Sequence, residues 1–200
     1  MTNYKITIEY DGTNFVGWQR QINGLSIQQL IEEALQKLVN KKTIISGAGR
    51  TDAGVHAKGQ VASFELDKKL DTSTIRDGLN HHLRPYPVAI LSTEIVNVDF
   101  NARFSAKLRW YEYKIINRRS PLTLENNRAW CIHKPIDIKK IIKQSKEFFG
   151  RHDLSAFRSI NCQSNSPIKS INSIDVNKDS EEIQFTISTK SFLHSQVRIM

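Results

Sequence analysis

The sequence predicts an α+β protein built from two similar halves, each with a largely antiparallel sheet that helices cover on one face. Two observations predict it. Apolar residues recur with a period of two in some segments and of 3.6 in others, as strands and amphipathic helices require. The resulting element order, β-α-β-β-α-β, is found in the first half and recurs with longer loops in the second. We place the halves at residues 1–103 and 104–200, with a cleft suited to chemistry between them.

The elements of the first half follow from periodicity and from turn signals. Residues 4–10 alternate apolar and polar side chains as a half-buried strand does, and Asp11 and Gly12 end it. Ser26 is the expected N-cap of a helix. Its apolar stripe consists of Ile27, Leu30, Ile31, Ala34, Leu35 and Leu38. The remaining predicted elements are strands 43–47 and 60–66, a helix over 72–83 before Pro85, and a strand over 88–98.

The second half repeats this order as far as it extends. We predict a strand over 108–117, a helix over 138–149, strands near 169–176 and 183–188, and the first turns of an amphipathic helix after Lys190. The split βαβ order of both halves is typical of ferredoxin-like folds. By analogy with the first half, we expect the rest of this helix and a closing strand to be missing after Met200. The alternative is that Met200 is a natural end with a frayed tail.

Charge and cysteine content limit the classes of partner. The chain has 29 Lys and Arg against 20 Asp and Glu, a net charge of +9 and a pI near 9.6. Such a surface attracts polyanions, which makes nucleic acid the leading partner class. A membrane is the weaker alternative, because no apolar run approaches the roughly 18 residues that span a bilayer. We expect a soluble, cytoplasmic protein whose two cysteines, Cys131 and Cys162, are reduced and structural.

A glycine-rich loop carries the most informative acid. Residues 46–60 read SGAGRTDAGVHAKGQ, which places Asp52 two residues after Arg50. A nearby guanidinium favours the charged carboxylate, which could act as a nucleophile or accept a proton. Asp in such a stretch also commonly forms a turn with its own side chain, and the pattern alone favours that role. His56 could contact a substrate or stabilise the turn.

A strand in the second half offers a surface for stacking. Alternation places Arg109, Tyr111 and Tyr113 on one face, where the rings could stack on bases for roughly 1–3 kcal/mol each. Tyrosine is also common in strands simply because it packs well there. His81 and His82 are adjacent and cannot share one narrow face of a helix, so they do not predict a metal site.

Six blocks in the same order resemble those of the TruA-type tRNA pseudouridine synthases. The most specific is GRTDAGVHAKGQVASF at 49–64. The others are YDGTNFVGWQRQ at 10–21, SIQQLIEEAL at 26–35, DFNARFSAKLRWYEYKI at 99–115, HDLSAFRS at 152–159 and FLHSQVRIM at 192–200. The resemblance covers nearly the whole chain. It agrees with the expected incompleteness, since this family continues past the last block.

The resemblance implies a reaction, a substrate and an assembly. Members of this family convert uridines at positions 38, 39 and/or 40 of the tRNA anticodon stem-loop to pseudouridine, with neither cofactor nor metal. They act as homodimers. We therefore expect an isomerase that binds tRNA and forms a homodimer.

Four residues receive roles from the resemblance. Asp52 corresponds to the catalytic aspartate, which could bond to the sugar, attack the uracil ring or remove a sugar proton; these routes stay open. Arg50 resembles the residue that holds the nucleotide out of its stack. Tyr111 corresponds to the tyrosine that lies against the target base, and Arg198 to the basic residue that pairs with the aspartate.

Two other functions fit parts of the pattern. An inert RNA-binding module of ferredoxin-like fold would not need the glycine-rich loop with Arg50, Thr51 and Asp52, which we call the RTD loop. The aromatic signature of such modules is also missing from the sequence. An RNA glycosidase or nuclease using Asp52 would ordinarily require a second carboxylate or a metal cluster.

Overall fold

The computed structural model describes residues 1–160 and 162–200. The chain forms two compact units, Met1–Ala106 and Lys107–Met200. Each unit combines one sheet with helices, so the predicted α+β fold is confirmed. Within the described ranges, no helix has both the length and the apolar character needed to cross a membrane.

The first unit has the predicted β-α-β-β-α-β order. Its elements are β1 Thr2–Tyr10, α1 Ile27–Val39, β2 Ser46–Gly47, β3 Ala57–Leu66, α2 Thr72–Leu83 and β4 Val88–Val96. The strands lie in the order β2-β3-β1-β4, and each is antiparallel to its neighbours. An antiparallel strand therefore separates β1 from β2 and β3 from β4, which is the split βαβ arrangement.

Burial of one side of β1 beneath the two helices forms the main core. Tyr4, Ile6 and Ile8 have no exposed surface, whereas Glu9, which points to the opposite face of the strand, is exposed. Helix α1 begins where predicted, because the Ser26 side chain accepts a hydrogen bond from the Gln29 amide at 3.2 Å. The core also contains Ile27, Ile31 and Leu35 from α1 and Ile75, Leu79 and Leu83 from α2.

The second unit has a five-stranded sheet. Its elements are β5 Arg109–Asn117, β6 Trp130–Ile132, α3 Ile138–Ser145, β7 Gly150–Asp153, β8 Ile168–Asp179, β9 Glu182–Thr189 and α4 Gln196–Ile199. The strand order is β6-β5-β9-β8-β7. Within it, β5-β9-β8 repeats the arrangement β1-β3-β2 of the first unit. Leu154, Ile171, Ile187 and Leu193 form its smaller core.

Two short strands were not predicted. Strand β6 has three residues and pairs in parallel with the end of β5, and β7 has four residues and pairs antiparallel with β8. Segments this short show too few alternations to be distinguished from loops.

Three predicted elements are shorter than expected by three residues or more. The strand over 43–47 is reduced to β2, because the backbone of Ile45 bonds to the side chains of Gln28 and Glu32. The helix over 138–149 ends at Ser145 and continues as a 3₁₀ turn, Lys146–Phe148. The helix after Lys190 begins only at Gln196, since Ser195 has a left-handed backbone with φ +59°.

Candidate active site

The RTD loop joins β2 to β3 and contains a tight turn at Asp52. The amide of Val55 donates to the carbonyl of Asp52 at 3.2 Å. Gly54, the third residue of this turn, has φ +78°, the value that a type II turn requires and that glycine adopts without strain. Asp52 is half-buried, and Arg50 is exposed on the same loop.

A second segment supports the loop from the protein side. We call residues 11–19, which connect β1 towards α1, the supporting segment. The amide of Trp18 donates to the carbonyl of Thr51 at 3.0 Å, and the amide of Gly54 donates to the carbonyl of Phe15 at 3.4 Å. Phe15 and Trp18 are both buried. The supporting segment therefore connects the core of the first unit to the backbone on both sides of Asp52.

Two glycines allow these backbones to approach so closely. A Cβ on Gly12 would lie 2.1 Å from the carbonyl oxygen of Val55, and a Cβ on Gly17 would lie 2.5 Å from that of Thr51. Gly17 also has φ +108°, which side chains other than glycine rarely adopt. Any side chain at either position would displace the RTD loop or the supporting segment.

Tyr10, the last residue of β1, holds the loop through a side chain. Its hydroxyl lies 2.8 Å from the Thr51 hydroxyl, and the Gln60 side chain forms a further hydrogen bond with it. Burial raises the pKa of Tyr10, an effect that the bonds to Thr51 and Gln60 partly offset. Tyr10 therefore keeps its proton at neutral pH. Gln60 also donates to the carbonyl of Gly49 at 2.8 Å, at the beginning of the loop.

His56 lies at the base of the loop. Its Nδ1 is 3.1 Å from the Gly12 amide nitrogen and 3.1 Å from Oδ1 of Asp11. The two contacts require different states of the ring, because Nδ1 accepts from the amide only when unprotonated and donates to the carboxylate only when protonated. In either state the ring joins the loop to the supporting segment, which favours the turn-stabilising role of His56.

Tyr111 lies in the second unit, on β5 opposite Ile187 of β9. Its ring packs edge to face against Phe192, with centroids 4.8 Å apart and planes at 83°. This contact is expected to restrict rotation of the ring. Arg109 and Tyr113 share the alternating positions of this face, and all three side chains are half-buried.

Arg198 is exposed on α4. Its amide donates to the carbonyl of Ser195 at 3.1 Å. The turn before α4 is held by the Cys162 thiol, which accepts from the His194 amide at 3.4 Å. Burial alone would raise the pKa of Cys162. Backbone hydrogen bonds from His194 and Ser164, with the charges of Arg158 and Lys169, outweigh burial and lower it.

The predicted site residues thus fall into two groups. Asp52 and Arg50 share one loop of the first unit, whereas Tyr111 and Arg198 belong to the second unit. The pairing of Arg198 with Asp52 stays a prediction. Sequence reasoning missed the support that Tyr10, Gly12 and Gly17 give to the loop. The available signal in the sequence was the position of Gly12 and Gly17, each within three residues of two of the aromatic residues Tyr10, Phe15 and Trp18.

The placement of possible ligands also bears on metal binding by the described residues. Nowhere in the part of the chain that the structure covers do three His, Cys, Asp or Glu side chains gather closely enough to hold a metal ion.

Comparison with known proteins gives one consistent result. The family described as tRNA pseudouridine synthase matches residues 6–105 and 145–200. Asp52 and Arg50 fall within the first range and Arg198 within the second, whereas Tyr111 lies between them.

Individual relatives cover nearly all of the chain. The tRNA pseudouridine synthase A of Parvibaculum lavamentivorans is 48% identical over 198 residues, which are 99% of this chain and 80% of the relative. That of Ehrlichia chaffeensis is 52% identical over 198 residues, covering 98% and 81%. That of Paramagnetospirillum magneticum is 46% identical over 200 residues, covering 100% and 78%. The chain belongs to the tRNA pseudouridine synthase family.

Proposed function

We propose that this protein converts uridine to pseudouridine in the tRNA anticodon stem-loop, at positions 38, 39 and/or 40, with Asp52 as the catalytic residue. Membership of the tRNA pseudouridine synthase family supports the isomerisation of uridine in tRNA. The proposed role of Asp52 rests on the resemblance of its loop to the signature of this family, and it is supported by the bonding of that loop's backbone to the supporting segment, which the buried Phe15 and Trp18 anchor in the core.

The reaction makes clear what Asp52 has to do. The bond between uracil N1 and ribose C1′ breaks, C5 bonds to C1′, a proton leaves C5 and N1 gains one, so the product is an isomer. The carboxylate could bond to C1′, add to the ring or remove a sugar proton, and all three routes require an anion near an everted nucleoside. A fixed carboxylate lowers the entropic part of the barrier in each case.

Three further residues are proposed to complete the site around the substrate. Arg50 is exposed two residues before Asp52, where its guanidinium can contact the nucleotide beside the reacting base. Tyr111, whose ring packs against Phe192, is proposed to lie against the target base. Arg198 is proposed to pair with Asp52. Everting a base costs a few kcal/mol, which contacts to phosphates and to the base must offset, and the net charge of +9 supplies attraction to phosphates.

Assembly and location complete the proposal. We infer a homodimer that binds one tRNA across both subunits and works in the cytoplasm. Both cysteines are free thiols, which suits a reducing compartment.

Release of tritium from tRNA labelled at uridine C5 tests the function directly. Isomerisation releases the label and leaves the RNA chain intact. A binding module releases nothing, and a glycosidase or nuclease yields free uracil or cut RNA.

The variant Asp52→Asn tests the catalytic residue. We expect it to fold, to bind tRNA with unchanged affinity, and to lose at least about a thousandfold in kcat, as expected when an essential catalytic group is removed. Asp71→Asn is the matched control, because it removes the same charge from an exposed residue at the start of α2. Residual turnover by Asp52→Asn near that of the control would eliminate Asp52 from the mechanism.

A further inference from the structure

Thr51, the residue directly before Asp52, is fixed through both its main chain and its side chain. Its carbonyl accepts the Trp18 amide at 3.0 Å, and its hydroxyl lies 2.8 Å from that of Tyr10. The Thr51 carbonyl and the Asp52 amide belong to one planar peptide unit, so a shift of this carbonyl also moves the main chain of Asp52.

Tyr10 is itself held firmly. It is 3% exposed, and it pairs with Ala57 of β3 and Val88 of β4 at the end of the central strand. Its ring lies 6.4 Å from that of Trp18, which is 2% exposed. The Gln60 amide can donate to the Tyr10 oxygen while the Tyr10 hydroxyl donates to Thr51, which gives the hydrogen bonds one consistent direction.

Gly17 sets how close the main chain can come. The Cβ that it lacks would lie 2.5 Å from the Thr51 oxygen, 3.1 Å from the Asp52 carbonyl carbon and 3.3 Å from the Ala53 amide nitrogen. These are backbone atoms, which cannot move aside as a flexible side chain can. The place of the Asp52 backbone therefore depends on residue 17 having no side chain.

We propose that Tyr10 and Gly17 are positioning residues that act through Thr51 to set the position of the Asp52 carboxylate. The inference rests on the proposed function, because it matters for catalysis only if Asp52 is the reacting group. Neither residue needs to touch the tRNA. Misplacing a catalytic group by about 1 Å can cost about a hundredfold in rate, whereas binding of a large substrate depends on many other contacts.

A double-mutant cycle tests the hydroxyl pair. Tyr10→Phe and Thr51→Val each remove one hydroxyl and nearly keep the shape of the side chain. We expect each to lower kcat about tenfold and to change KM and the tRNA Kd less than about twofold, because the carboxylate loses its placement and tRNA contacts stay. The double variant should be no slower than either single variant, because the same bond is removed once.

Gly17→Ala tests the close approach of the backbones. We expect kcat to fall about a hundredfold with a small change in KM. Gly150→Ala is the matched control, because Gly150 has a similar φ of +96° but its Cβ would meet only His152, at 3.8 Å. It introduces a comparable strain from a positive φ and should keep kcat unchanged. Amide hydrogen exchange at Trp18 should become faster only in Gly17→Ala, since that amide donates to Thr51.

The outcomes separate this inference from the proposed function. Loss of activity in Asp52→Asn, with wild-type kcat in Tyr10→Phe and Thr51→Val, would overturn the positioning role alone. Full activity in Asp52→Asn would overturn the catalytic role as well. Losses in the two hydroxyl variants that multiply in the double variant would also refute the inference, because the residues would then act independently. If Gly17→Ala does not fold, the cycle with the two conservative variants decides.

Discussion

Glu32 on α1 provides the clearest test of how the first unit is held together. The carboxylate is buried, with 9% of the residue exposed, and it accepts three hydrogen bonds. Oε1 receives the Gln28 amide at 3.0 Å and the Ile45 amide at 3.2 Å, and Oε2 receives the Arg20 guanidinium at 3.1 Å. One side chain thus joins α1 to the segment before β2 and to Arg20 of the YDGTNFVGWQRQ block.

The cost of removing this acceptor can be worked out bond by bond. In Glu32→Ala, the buried Ile45 and Gln28 donors lose their partner, and each unsatisfied buried donor costs about 1–3 kcal/mol. Gln28 keeps a longer bond to the Ile45 carbonyl at 3.4 Å, so its share lies at the low end. The Arg20 side chain is 45% exposed, and solvent reduces its pair to about 0–1 kcal/mol. The sum is about 2–5 kcal/mol.

Glu32→Gln is the matched control. Its carbonyl oxygen can still accept from Gln28 and Ile45, while its amide group replaces the oxygen facing Arg20. Only the solvent-screened pair is lost, so we expect a cost of about 1 kcal/mol or less. The free energy of unfolding therefore distinguishes loss of an acceptor from loss of a charge.

Urea unfolding measured by Trp18 fluorescence is a suitable assay. Because a protein of two compact units need not unfold in one step, the reporter must lie in the first unit. Trp18 is 2% exposed there, whereas Trp110 and Trp130 of the second unit are 61% and 57% exposed and can be replaced by Phe. A cost in Glu32→Gln equal to that in Glu32→Ala, or a cost below about 1 kcal/mol in Glu32→Ala, would refute the reasoning.

Two further predictions concern a helix cap and a thiol. Ser26→Ala removes the acceptor of the Gln29 amide, and we expect it to lower the free energy of unfolding of the first unit by about 1 kcal/mol. No loss in urea unfolding would contradict this. The lowered pKa of Cys162 increases its thiolate fraction at a given pH, so alkylation by iodoacetamide should reach half its maximal rate at a lower pH than for a cysteine in a short peptide. Mass spectrometry of the proteolytic fragment that contains Cys162 measures this midpoint, and Arg158→Gln should raise it. A midpoint at or above that of the cysteine in the short reference peptide would show that the pKa of Cys162 is not lowered.

Elements with a strong local signal were predicted well from the sequence. Helix α1 has an N-cap at Ser26 and an unbroken apolar stripe, and α2 has the predicted bounds, Thr72–Leu83. Along strand β1, buried side chains largely alternate with more exposed ones. In each case the residues that determine the structure are neighbours in sequence, so periodicity and capping reveal them.

Features that depend on distant residues were not predicted. The shortening of the strand before β2 results from Gln28 and Glu32, more than ten positions away from Ile45. The support of Thr51 by Tyr10 and Trp18 joins residues separated by more than thirty positions. Contacts of this kind leave no periodic pattern. In hindsight, the glycines of the YDGTNFVGW stretch indicated a close approach of backbones.

The proposed catalytic role of the RTD loop could be predicted only from the family resemblance. Composition and spacing alone favoured a turn at Asp52, and the structure does contain a main-chain turn from Asp52 to Val55. The turn and the proposed catalytic role are compatible, because the turn uses the backbone carbonyl. Local chemistry therefore could not choose between them.

The close fit between Gly17 and Thr51 has a consequence for protein engineering. A designer who grafts only residues 48–56 onto another scaffold would transfer the acid without the backbone that seats it. We expect the transferable unit to be the loop together with residues 10–18, because Tyr10, Gly17 and Trp18 contact the backbone or side chain of Thr51. Chimaeras between relatives should accordingly tolerate joint exchange of both stretches better than exchange of one.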